Sequence, residues 1–202
     1  MHRDMLRLVA ITDNLRDGIE GLTRRAMASR RGGATMIQLR LPEEGAGTLT
    51  AAARALIAAV EIPIVVHART DVALAAGAAG VHLGVDDVSV GDVRRLCGPD
   101  FVIGRSAGKD EDLRRADGAD YIALGPAFDI DRRRSGTALG MTELERLARA
   151  AGRPVVAVGG ISPGTAPDAI RAGACGVALI SGIFGSPDPE SAARELRSAI
   201  ER

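Results

Sequence analysis

Apolar residues in this chain fall into eight short blocks: LRLVAIT (6–12), TMIQLR (35–40), PIVVHA (63–68), GVHLG (80–84), FVIGRS (101–106), DYIALG (120–125), PVVAVGG (154–160) and GVALISG (176–182). Most are continuous rather than alternating, the pattern of strands buried on both faces of a parallel sheet. Between them lie segments rich in Ala, Leu, Arg and Glu, such as TLTAAARALIAAV (48–60), TDVALAAG (70–77) and DPESAARELRSAI (188–200), which read as helices. Strands alternating with helices predict right-handed crossovers and parallel pairing. Eight such units predict an α/β fold, a compact (β/α)8 TIM barrel filling residues 1–202 as a single domain. A doubly wound open sheet is the alternative, but no GxGxxG opens the chain.

A weak repeat supports the barrel. Gly33-Ala34-Thr35-Met36-Ile37, Gly77-Ala78-Ala79-Gly80-Val81, Gly118-Ala119-Asp120-Tyr121-Ile122 and Gly173-Ala174-Cys175-Gly176-Val177 precede or open the second, fourth, sixth and eighth blocks. Each reads as a glycine that ends a helix, followed by a tight turn into a strand. The longest connection, 125–140, is too long for a bare turn and is a candidate active-site loop; it carries Arg132-Arg133-Arg134.

Composition narrows the function. Lys+Arg and Asp+Glu balance at 26 each, and aromatics are few, so neither nucleic acid nor an anionic membrane is an expected partner. Lys109 is the only lysine, in the polar run GKDED, which leaves one candidate for Schiff-base chemistry. Cys97 and Cys175 form no CxxC, no stretch reaches the roughly 18 apolar residues of a membrane span, and no signal-like segment opens the chain. A cytoplasmic protein is expected.

In a barrel, chemistry sits where strands end and the following loops begin. Those ends carry Asp13, Gln38, Arg40, His67, His82, Asp87, Arg105, Ser106, Gly125, Gly159, Gly160, Ser181 and Gly182. AVGGIS and LISGIFG close the seventh and eighth blocks with small residues. Exposed amides at Gly159, Gly160, Ile180, Ser181 and Gly182, with a short helix starting near Ser181, would cup a phosphate. Gln38 and Arg40 share one face of a strand and offer donors to an oxyanion, unless Arg40 pairs with Glu43 or Glu44. Asp86-Asp87 could ligate Mg2+ or cap the next helix. His82 is either a satisfied core histidine or a ligand contact.

MIQLR, DVALAAGAAGVHLGVDD, IGRS, ADYIALGPAF, PVVAVGGI and AGACGVALISGIF, in this order from about Leu8 to Phe184, resemble the superfamily of thiamine phosphate synthase and TenI-type thiazole tautomerases. The resemblance implies a barrel, usually dimeric, that handles the phosphorylated thiazole half of thiamine; thiazole phosphate and thiamine phosphate are the implied ligands. The synthase ionises hydroxymethylpyrimidine pyrophosphate with Mg2+ on two aspartates plus lysines. Gln38, Arg40, Asp87 and Ser106 match that pattern. The Asn-Asp after the third strand, however, reads His67-Ala68, an expected lysine is Pro42, and Thr-x-Thr-Lys reads Ile130-Asp131-Arg132-Arg133. That leaves only an arginine, the substrate-binding candidate Arg133, where a lysine was expected, in a run that is either a solvated charge run or a lid over a phosphate. These departures favour the tautomerase branch, which needs no cofactor, only a positioned acid/base. That branch's own histidine is replaced by Gly108, so His67, with His82 as second candidate, becomes the expected catalyst. The synthase, with Mg2+ on Asp87, and a binder without turnover are the alternatives.

Overall fold

The computed structural model describes residues 3–129 and 138–201. Arg133, with Arg132 and Arg134, lies outside the described residues. Eight strands, β1 (Leu8–Ile11), β2 (Met36–Leu39), β3 (Ile64–His67), β4 (Gly80–Leu83), β5 (Val102–Ala107), β6 (Tyr121–Leu124), β7 (Val155–Val158) and β8 (Gly176–Leu179), pair in parallel in chain order and close, β8 on β1. The helices that follow them are α1 (Gly18–Arg31), α2 (Ala46–Ala59), α3 (Thr70–Ala76), α4 (Val90–Cys97), α5 (Asp110–Arg114), α6 (Gly140–Ala150), α7 (Ala166–Arg171) and α8 (Pro189–Ile200). The expected TIM barrel is the fold.

Strand parity divides the apolar residues into two cores. Leu8, Ala10, Ile37, Leu39, Ile64 and Val66 point outward into the layer between sheet and helices. Val9, Ile11, Met36, Val65, Tyr121 and Val156 point inward and fill the barrel. Leu6, at the end of a 3-10 turn (Arg3–Leu6), joins that interior cluster and is fully buried. The lower end of the barrel is thereby packed.

The repeated glycines behave as the sequence predicts. Gly33, Gly77, Gly118 and Gly173 all have positive φ, between 72° and 109°. At three of them the next amide turns back to a carbonyl five residues earlier, Ala34 to Ser29, Ala78 to Ala73 and Ala174 to Ala169, while the glycine amide bonds three back. This is the Schellman closure, which satisfies orphaned helix carbonyls and seats the following alanine in the core. α4 starts at Ser89, whose Oγ accepts from Asp92 N at 3.1 Å and donates to Asp92 Oδ2 at 2.6 Å. Asp87 therefore does not cap that helix, as one sequence reading had it. The short helix expected from Ser181 is a run of turns in which the Ile183 and Phe184 amides both return to Ile180 O.

Candidate active site

Parity also decides what faces the upper mouth. Gln38, His67, His82 and Ser106 are the inward positions at the ends of β2, β3, β4 and β5, and Arg40 follows two residues after Gln38. Together with Tyr121 they line a cavity of about 140 Å³ whose remaining wall is aliphatic. A second hollow of about 160 Å³ is lined by Gly159, Gly160, Ile180, Ser181 and Gly182. The two share Val158, Ala178 and Ile180. Among the described residues, the sequence-derived candidates Gln38, Arg40 and Ser106 and the glycine-rich phosphate candidates thus line adjoining spaces at one end of the barrel.

Within the first cavity the polar groups are already ordered. The buried Gln38 amide nitrogen lies 3.2 Å from His67 Nδ1 and donates to it when the imidazole carries its proton on Nε2. Burial lowers the His67 pKa, the Arg40 charge lowers it further, and Asp87 opposes both. His67 is therefore neutral at neutral pH, as a proton-transfer group requires. Its ring stacks on that of His82 at 6.0 Å between centroids and 17° between planes, because the two residues are register partners on β3 and β4. His82 is occupied at both ends, with Nδ1 3.0 Å from Tyr121 Oη and Nε2 2.9 Å from Ser106 Oγ. Burial, then the charges of His67 and Arg105, push its pKa down to about 3.

Tyr121 was not foreseen as a site residue. It lies on β6 and reaches His82 on β4 across Gly104 of β5, to which both are paired. A Cβ at Gly104 would sit 2.2 Å from Tyr121 Cζ. A glycine inside a strand marks such a close approach, and that was the available signal.

Arg40 forms no ion pair among the described residues, so the alternative pairing with Glu43 or Glu44 is not made. Its backbone is tied in both directions to Thr12 Oγ1. Asp87 stands on the rim, where Oδ2 accepts from Gly84 N at 2.6 Å. Arg105 points outward and clasps the same loop, donating to Val85 O, Val88 O and Asp87 O. It is a brace and not a ligand group. Asp13 likewise pairs with Arg25 at 2.7 Å. The buried Arg25 guanidinium also donates to Asn14 O and Phe184 O and lies over the Phe184 ring, which fixes the turn that shapes the second hollow. Sequence reading missed Arg25, since nothing local links α1 to a turn 159 residues away.

In the second hollow Gly159 and Gly160 have φ of +88° and +66°. Among the described residues, no acceptor meets the Gly160, Ser181 or Gly182 amides. Amides without an acceptor among the described residues, beside β7 and β8, suit an oxyanion. Ala68, directly after His67, has φ of +60° although it is not glycine. Lys109 is exposed at the start of α5, 3.4 Å from Glu111.

Among the described residues, no three His, Cys, Asp or Glu side chains converge on a metal-sized site. Mg2+ binds by one or two carboxylates together with substrate phosphates and water. The donor set fits such an ion only as one carried in on a phosphorylated ligand, with Asp87 as its protein carboxylate.

Comparison with known proteins agrees with this geometry. The family model described as thiamine monophosphate synthase matches residues 8–183. A thiamine-phosphate synthase from a Roseiflexus species is 40% identical, covering 94% of this chain and 83% of the relative. One from Xanthobacter autotrophicus is 38% identical, covering 96% and 95%. The solved thiamine phosphate pyrophosphorylase of Pyrococcus furiosus superposes with a TM-score of 0.88 at 31% identity, covering 98% of this chain and 97% of that one. The chain belongs to the thiamine monophosphate synthase family.

Proposed function

We propose that this barrel is a thiamine-phosphate synthase, joining a hydroxymethylpyrimidine pyrophosphate to a thiazole phosphate. The observation that carries the reading is the pair of adjoining hollows, one with Gln38, Arg40, His67 and Ser106, the other with glycine-rich amides that no acceptor meets among the described residues, in a chain about two-fifths identical to proteins of that name. This reverses the order that the departures at Ala68, Pro42 and Arg133 suggested; the relatives weigh more than those three positions.

The amides of Gly160, Ser181 and Gly182 hold the thiazole phosphate and fix its ring toward the first cavity. Arg40 supplies positive charge to the departing pyrophosphate, and Ser106 a hydrogen bond. Gln38 holds the His67 ring, and burial keeps that ring neutral, so it does not repel a pyrimidine that turns cationic as the bond breaks. Asp87 would hold a Mg2+ carried in with the pyrophosphate, and the ion would supply neutralisation of leaving-group charge. A homodimer and a cytoplasmic location, both expected from sequence, belong to the same proposal; light scattering at working concentration checks the first.

The second reading is the tautomerase, favoured by one observation: a neutral imidazole faces the ligand cavity where the motif residue of the synthases is Asn. One experiment separates the two. The protein is incubated with both precursors, with and without Mg2+, and separately with thiazole carboxylate phosphate. Coupling that requires Mg2+, retained within a fewfold by His67→Asn, supports the synthase. Aromatisation without metal, lost in His67→Asn, replaces it with the tautomerase. Tight binding of thiamine phosphate with no turnover leaves a binding protein and removes both.

A further inference from the structure

We infer that Tyr121 and His82 form a one-way hydrogen-bond relay that occupies one lone pair of Ser106 and turns its hydrogen toward the cavity, making both positioning residues that favour an acceptor atom on the ligand. The direction follows from the buried end. Tyr121 is 1% exposed, and its hydroxyl meets one partner among the described residues, His82 Nδ1 at 3.0 Å. A buried phenol with a single partner among the described residues bonds its hydrogen by donating to that partner; if it accepted, the hydrogen would have no acceptor among those residues. Nδ1 is then the acceptor of a neutral ring, and the ring proton sits on Nε2. Nε2–H donates to Ser106 Oγ, 2.9 Å away. The Ser106 oxygen already accepts, so its single hydrogen is free for the cavity that it lines.

The groups around His82 keep it in that state. His67 stacks on it from β3, the Arg105 charge acts from β5, Tyr121 closes it from β6, and burial disfavours the cation. Gly104 is what permits the geometry, since any side chain there would occupy the phenol's path. The consequence is chemical selection. A phosphate oxygen or an unprotonated ring nitrogen takes the Ser106 hydrogen while the oxygen keeps its bond from His82; an N–H or O–H group reaches only the one remaining lone pair and leaves that hydrogen without the ligand as its acceptor. Contact between Ser106 and a thiamine-type ligand rests on the function proposed above; the direction of the relay does not.

Two measurements test it. Nitrogen NMR of histidine-labelled wild-type protein, with His67→Asn to assign the signals, is expected to show His82 as the neutral Nε2–H tautomer, without titration between about pH 5 and 8. The Nδ1–H tautomer, or titration near the ordinary histidine value, overturns the relay even if no variant folds. The second is a double-mutant cycle read by calorimetry with thiamine phosphate. Ser106→Ala and Tyr121→Phe are each expected to weaken binding about tenfold, the worth of one buried hydrogen bond, and Tyr121→Phe to add little once Ser106 is alanine. Additive losses overturn the relay. A wild-type protein that shows the predicted tautomer but binds no thiamine phosphate sinks the proposed function and the ligand-selecting role, leaving only the relay's direction.

Discussion

At the scale of the residue, the site is defined by histidines kept uncharged. A histidine whose folded pKa lies below its unfolded value adds no pH dependence above the unfolded pKa. As pH falls below about 6.5 the unfolded chain takes up a proton that folded His82 refuses until about 3. Stability is therefore expected to fall by about 1.4 kcal/mol per pH unit through that window from His82 alone, and His67 is shifted in the same direction. Urea denaturation at about pH 7, 6 and 5 checks this, and His82→Gln should flatten the profile. Carboxylates held low, such as Asp71 beside Arg69, begin to contribute only at more acidic pH. Gln38, His67 and Ser106 were legible in the sequence because strand ends and a period of two name the inward positions. The role of His82 was not, because it depends on Tyr121, 39 residues away, and on the empty position at Gly104 between them.

The elements carry the next level of control, chiefly through their ends. Gly160 sits where a Cβ would lie 2.3 Å from Phe128 O, in the left-handed region. Gly160→Ala is expected to displace the β7 turn and lower affinity for a phosphorylated ligand by tenfold or more, with about 1–2 kcal/mol of backbone strain. Calorimetry with thiamine phosphate and a melting curve measure the two effects. Arg25 ties α1, the loop after β1 and the turn after β8 into one unit. Arg25→Ala leaves the Asp13 carboxylate and two carbonyls without their donor and is expected to cost about 3 kcal/mol in chemical denaturation. Arg25→Lys should recover only part, because an ammonium lacks the fork that reaches three acceptors. Element boundaries followed from the apolar blocks and the Gly-Ala repeat, since both report local backbone demands. The tie through Arg25 joins segments that no local pattern connects.

For the whole molecule, the packed core and the proposed site sit at opposite ends of one barrel. Leu6 and Met36 pack the interior beneath the cavity that Tyr121 lines, and Leu6 closes the barrel from below. Leu6→Ala is expected to cost about 2–5 kcal/mol while leaving the affinity for thiamine phosphate within a fewfold, a separation seen by pairing denaturation with calorimetry. The balance of 26 basic and 26 acidic residues gives no long-range field, so attraction of a phosphorylated ligand is local, through Arg40 and the amide cup. The near-absence of lysine has a practical corollary. Lys109 stands exposed just after β5, at the end of the barrel that carries the proposed site. It is the one side-chain amine of the sequence, so a dye coupled to it, with the α-amino group blocked, is a fluorescent reporter at the barrel end that carries the proposed site.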